Sequence, residues 1–185
     1  MNKLIEVINH QRHDWLNHIQ VLLGYLKLQK YDLCEEYMYR VIKEANRDTL
    51  IARLAHPSLV TYLLSFNALH KEVVLDVEIP APFSLLDRPD LGNCILGMVE
   101  TYRQHAQMNG EPNTLLLTLT YSGDCLHGVA DYAGRLDAAG MKQALVAMEQ
   151  EIIALGGQFV MDIHTDEESV IECIIPFTAE ADKSR

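Results

Sequence analysis

The sequence predicts an α+β protein in two parts, a helical hairpin that pairs with a second copy into a four-helix bundle, then a two-layer α/β sandwich. Three observations carry this. Residues 4–28 contain no proline and place Ile5, Ile8, Arg12, Trp15, Ile19, Leu22 and Leu26 at alternating steps of three and four, a heptad seam broken only by Arg12. Val73, Leu75, Val77 and Ile79 then recur at every second residue, the period of a strand. From there strand and helix patterns alternate towards the C-terminus.

The first helix ends at a short polar break, Gln29, Lys30 and Tyr31, after which Asp32 is placed to cap a second helix carrying Leu33, Tyr37, Val41, Ala45 and Leu54. So short a break folds the two helices back as an antiparallel pair. A hairpin with an apolar seam on each helix cannot cover both seams itself. Pairing with an identical hairpin gives the four helices one shared core, so a homodimer is expected over residues 1–55.

The pattern resets at His56-Pro57, because proline suits the first turn of a helix. A helix of about a dozen residues follows through Leu63, Leu64 and Leu69. Next come the Val73 strand, a loop over residues 80–89 and a helix over residues 90–108. Residues 114–121 and 125–132 form a strand pair across Ser122, Gly123 and Asp124, Asp137 opens a helix over residues 137–155, and strands 158–163 and 170–177 close the domain. Helices laid on one mainly antiparallel sheet make residues 56–180 the sandwich, with residues 181–185 a polar tail.

Composition narrows the function. A formal net charge of -11 sets up a field that repels the phosphates of nucleic acid and anionic lipid, so neither is expected as a partner. Cys34, Cys94, Cys125 and Cys173 are far apart with no C-x-x-C pair, which fits reduced thiols in a cytosol and neither a zinc ribbon nor a dithiol redox site. Lys3 and Glu6 with no uninterrupted apolar stretch behind them give no signal sequence and no membrane span, so the protein is expected in the cytoplasm.

The informative run is Arg12-His13-Asp14-Trp15-Leu16-Asn17-His18-Ile19-Gln20, inside the first helix. With Ile5 and Ile19 on the seam, His13 falls one residue past it and faces solvent. Neutral imidazole has a lone pair able to attack phosphorus, and an ordinary histidine is mostly neutral near pH 7. Asp14 and Asn17 are placed to orient the ring, and Arg12 to help neutralise phosphoryl oxygens. His10, Asp14 and His18 stand at steps of four and could offer three ligands to zinc, without a fourth ligand nearby. Trp15 and the leucines read as bundle core, Glu35 and Glu36 as a solvated face, and His56, His70, His105, His127 and His164 have no motif around them.

This run resembles the histidine motif of the sporulation initiation phosphotransferase B family and, more loosely, the H-D-x-x-N-x-x-Q box of citrate and dicarboxylate sensor kinases, met here at His13, Asp14, Asn17 and Gln20. The resemblance extends through Leu28-Gln29-Lys30-Tyr31-Asp32 to Leu64-Ser65-Phe66-Asn67 and departs at His18, where a lysine is the family's usual residue. It implies a dimeric bundle with phosphorylated His13 and a C-terminal domain resembling a degenerate histidine-kinase ATPase domain. It also implies transfer from a phosphorylated single-domain response regulator to a second, transcription-controlling regulator in sporulation initiation. The resemblance implies no cofactor held by this chain, the magnesium coming with the regulator.

An ATP-dependent histidine kinase lacking its sensor region is the first alternative. It needs a magnesium-binding asparagine on a helix and glycine-rich turns that let phosphates approach the backbone. Glu100 and Thr101 stand where the asparagine belongs, and Asp131-Tyr132-Ala133-Gly134-Arg135 lacks the D-x-G-x-G spacing, while Gly156-Gly157 reads as an ordinary turn. A non-catalytic dimeric interaction module is the second alternative, and the complete His13 motif argues against it.

Overall fold

Alternation of burial along four of the five strands from Val73 onward builds a sheet with one covered face. In the computed structural model, residues 3–108, 110 and 112–177 are described. The helices are α1 (Lys3–Lys27), α2 (Tyr31–Arg53), α3 (Pro57–Leu69), α4 (Pro89–His105) and α5 (Ala138–Ala154). The strands are β1 (Val73–Glu78), β2 (Asn113–Tyr121), β3 (Cys125–Ala133), β4 (Gln158–His164) and β5 (Glu168–Pro176). The expected tail, residues 181–185, and the side chains of Ile5, Ile8 and His10 lie outside the described residues.

The chain divides into two compact units, residues 1–49 and 50–185. The division falls inside α2, because Ile51 and Leu54 are buried in the core of the second unit, where the Leu54 carbonyl accepts from Leu85 N–H.

In the first unit α1 and α2 are joined by a tight turn. Gln29 takes a left-handed φ of 57° and Lys30 N–H reaches back to Tyr25 O, so the end of α1 is closed without a glycine. The second helix starts at Tyr31, which puts Asp32 in its first turn, where its charge favours the helix N-terminus, and not at the cap position expected from the sequence.

The second unit is an α+β sandwich. Its sheet runs β1-β2-β3-β5-β4, with β1 and β2 parallel and every other pair antiparallel. Leu75 and Val77, Leu115, Leu117 and Leu119, and Ile171, Cys173 and Ile175 point to the covered face. Leu59 and Phe66 of α3, Ile95 and Met98 of α4, and Leu145 and Ile152 of α5 complete that core. The fourth helix begins at Pro89 and stops at His105, three residues short of the expected end, since Ala106 leaves it to bridge Leu136. Among the described residues no helix is long and apolar enough to cross a membrane.

Candidate functional site

The α1 segment from Arg12 to Gln20 is helical throughout. On a helix the i, i+4 and i+7 positions share a face, so His13, Asn17 and Gln20 line one exposed strip. The His13 side chain is 69% exposed, and both neighbours converge on one of its nitrogens. Asn17 Nδ2 lies 3.1 Å from His13 Nδ1, and Asp14 Oδ1 lies 3.6 Å from the same atom. Among the described residues no hydrogen bond or ion pair involves Nε2, the nitrogen at the tip of the ring. As placed, the Asn17 amide nitrogen donates to an unprotonated Nδ1; when Nδ1 carries the proton, Asp14 Oδ1 is the acceptor beside it, the Asn17 amide turns over to offer its oxygen, and the lone pair then sits on Nε2. The structure therefore brings together His13, Asp14 and Asn17. Arg12 is exposed on the adjacent position, roughly 100° around the helix, and points to a different side.

The inner face of the hairpin is a separate strip. Asp14, His18, Leu22 and Tyr25 of α1 are half-buried, as are Tyr37, Val41, Glu44 and Asp48 of α2, while Cys34 is buried. Among the described residues of the expected α1 seam, only Leu22 turns into this strip. Trp15, Ile19 and Leu26 remain 49–56% exposed on a second apolar strip with Leu16 and Leu23. His13 stands roughly a third of a turn from both strips, because successive residues step about 100°. Sequence reasoning weighed His18 as a zinc ligand and as a departure from the family pattern, and missed its contact across the hairpin, where Nδ1 is 2.9 Å from Tyr37 Oη on the other helix. Its partner is 19 positions away, which no periodicity within one helix reveals.

In the second unit, Glu100 is bound into an ion-pair network and not directed at a ligand. It accepts from Tyr62, Arg103 and Gln104. The Arg103 guanidinium, and after it Tyr62 and Gln104, hold its carboxyl down to about 2, against the opposing cost of burial. Thr101 Oγ1 donates to Gly97 O along its own helix. Tyr132, of the aspartate-to-glycine run at the end of β3, stacks on Tyr102 of α4 with ring centroids 5.4 Å apart, and both rings are fully buried. Their hydroxyls are used internally, Tyr102 with Ser169 and Tyr132 donating to Arg135 O. Burial pushes both phenols up.

Only Gly134, Arg135, Leu136 and Asp137 connect β3 to α5. All four amides are bonded, to Glu167 O, Asn113 Oδ1, Asp166 O and His105 O, each at 2.8 Å. Gly134 has φ +138°, and a Cβ there would lie 2.2 Å from Asn113 Oδ1, so no other residue fits this turn unchanged. Asp137 caps α5 by accepting from Gly140 N–H, which puts a carboxylate at the end of the helix that would otherwise attract a phosphate. Cys94 and Cys173 are buried thiols pushed up to about 11 and about 12 by desolvation, so both are poor nucleophiles. Among the described residues no group of three or more His, Cys, Asp or Glu side chains is arranged to hold a metal. The His10 side chain of the candidate zinc triplet lies outside them.

Residues 1–54 match the family model described as "Sensor_kinase_SpoOB-type, alpha-helical domain". Over 78 residues the chain is 35% identical to a protein named Sporulation initiation phosphotransferase B from Bacillus subtilis (strain 168), a stretch that spans 42% of this chain and 41% of that protein. Solved histidine kinases are similar at low identity. One from Burkholderia phymatum STM815 is 16% identical with a TM-score of 0.49, covering 95% of this chain and 91% of that one. Acinetobacter baumannii AdeS is 11% identical with a TM-score of 0.47, covering 90% and 98%. Scores below one half carry no inference about activity. Over residues 1–54 the chain thus matches an alpha-helical domain of the SpoOB sensor-kinase type, and it spans about two fifths of the length of the curated relative.

Proposed function

We propose that this protein is a phosphorelay phosphotransferase. His13 accepts a phosphoryl group from the phosphoaspartate of a single-domain response regulator and passes it to the aspartate of a second, transcription-controlling regulator in the initiation of sporulation. The observation that carries this reading is an exposed His13 whose Nδ1 is engaged by Asn17 and approached by Asp14, with no described group bonded to Nε2. The relative's name supports phosphotransfer and sporulation as the setting.

In the first half-reaction the Nε2 lone pair attacks phosphorus, the P–O bond of the acyl phosphate breaks, and its electron pair stays on the regulator's carboxylate. Asp14 stabilises the Nδ1–H of the resulting ring, which is positively charged while it carries that proton. In the second, the carboxylate of the other regulator attacks phosphorus and the electron pair of the P–N bond returns to Nε2. Such transfer needs in-line positioning and charge neutralisation more than covalent assistance, so one nucleophile on a rigid helix suffices and the magnesium belongs with the regulator's aspartate.

The exposed strip of Trp15, Ile19, Leu23 and Leu26 supports a homodimer, in which a second hairpin covers it and leaves His13 outside the bundle. The stacked tyrosines, the bonded β3–α5 connection and the capping Asp137 support a second unit that makes no phosphohistidine from ATP. On this reading that unit is a scaffold.

The test mixes purified protein with a panel of phosphorylated single-domain regulators and magnesium, without ATP. Acid-labile label is expected on wild type and absent from His13→Ala, a loss of the whole signal with the dimer intact, as judged by light scattering. Stable label on His13→Ala would sink the assignment, label from ATP alone on wild type would make the protein a kinase, and unchanged regulator phosphorylation would leave a binding module.

A further inference from the structure

His18 lies five residues beyond His13, about 7.5 Å along the helix, and turns inward. Its two nitrogens reach α2 at points two turns apart. Nδ1 is 2.9 Å from Tyr37 Oη, and Nε2 is 3.5 Å from the Glu44 carboxylate. The ring also meets the edge of Trp15 at 6.0 Å and the ring of Tyr37 at 5.8 Å. Tyr37 is itself held in place, by the ring of Tyr25 at 6.1 Å and by the Arg40 guanidinium 5.1 Å from its centroid.

At this level the inner strip is polar: Asp14 and His18 on α1, Glu44 and Asp48 on α2. Apolar contacts are non-directional and let a helix roll on its neighbour at little cost, whereas hydrogen bonds fix an angle. A roll of about 10° at the ~5–6 Å radius of the side-chain surface moves a side chain by about 1 Å. A misplacement of that size costs an in-line reaction up to ~100-fold.

We infer that His18 is a positioning residue for phosphoryl transfer, a two-pronged strut to Tyr37 and Glu44 that sets the rotation of α1 and hence the direction in which His13 presents Nε2. The inference rests on the transfer reading above. His18 touches neither phosphate nor regulator; it acts through the helix.

The experiment compares single-turnover labelling from a phosphorylated single-domain regulator across a range of regulator concentrations. His18→Leu fills the same space without hydrogen bonds. It is expected to keep wild-type helicity and dimerisation, to bind the regulator with unchanged half-saturation, and to lose ~10- to 100-fold in the limiting rate. His18→Gln, which retains a donor and an acceptor, is expected to recover most of the rate, and Tyr37→Phe to lower it without adding to His18→Leu.

A His18→Leu protein that transfers at the wild-type rate overturns the inference, as does a loss confined to half-saturation, which would make His18 part of the docking surface. Should His18→Leu fail to fold, Tyr37→Phe decides, since it keeps the ring stack and removes only the hydroxyl: a wild-type rate there also overturns it. Wild type that takes no label from any regulator, whatever the His18 variants do, brings down the transfer reading and this role together.

Discussion

In the helical hairpin Trp15, Leu16, Ile19, Leu23 and Leu26 stay 48–56% exposed, while in the sheet unit Leu115, Leu117 and Leu119 are at 0–1%. The residue types are comparable and the outcome differs because of geometry. A sheet presents one broad face that three helices can cover, whereas two helices can cover only one strip on each other. The second unit thus closes its own core, and the hairpin carries apolar surface that only another body can cover. Its stability should depend on protein concentration, and that of the second unit should not.

Three measurements would break or sharpen this contrast. Leu117→Ala should have the largest effect, destabilising the second unit by ~2–5 kcal/mol in denaturant melts, with the hairpin's helicity and dimerisation unchanged. A smaller loss would mean that the sheet core is less closed than its burial suggests. Ile19→Glu should have an intermediate effect, converting the proposed dimer to monomer in light scattering at micromolar protein while the second unit keeps its unfolding midpoint. A dimer that survives would mean that the Ile19 strip is not where copies meet.

The smallest effect concerns Glu100. Its folded-state value of about 2 lies below the ordinary 4.5. A depressed carboxyl contributes stability that is present above the unfolded value and lost as pH falls through the folded one. The melting temperature of wild type should therefore exceed that of Glu100→Gln near pH 6, and the gap should narrow between pH 4.5 and about 2. A gap that persists unchanged across that window would show that charge at Glu100 plays no part. The network is partly exposed, which keeps the gap small.

Much of the fold is legible because its cause is local. The every-second-residue pattern from Val73 and the turn at Ser122, Gly123 and Asp124 name their strands unaided, and His56-Pro57 marks the start of α3, while the division of the two units falls earlier, inside α2. The exposure of His13 also follows from phase along a single helix. The contacts that were not legible join distant positions: His18 to Tyr37, Tyr102 to Tyr132, Glu100 to Tyr62. Each depends on how two elements are registered against each other, a quantity that one-dimensional periodicity does not hold. The end of α4 was misjudged for the same reason, since the helix gives way at Ala106 to a pairing with Leu136, 30 residues further on.

The connection from Gly134 to Asp137 has a consequence for how the second unit opens. With all four amides bonded to three separate parts of the chain, their hydrogens should exchange for deuterium only when the start of β2, the β4–β5 turn or the end of α4 has moved. A segment that sequence alone would class as a surface turn is thereby tied to the slowest motions of the domain. Four bonded amides oppose its use as a hinge.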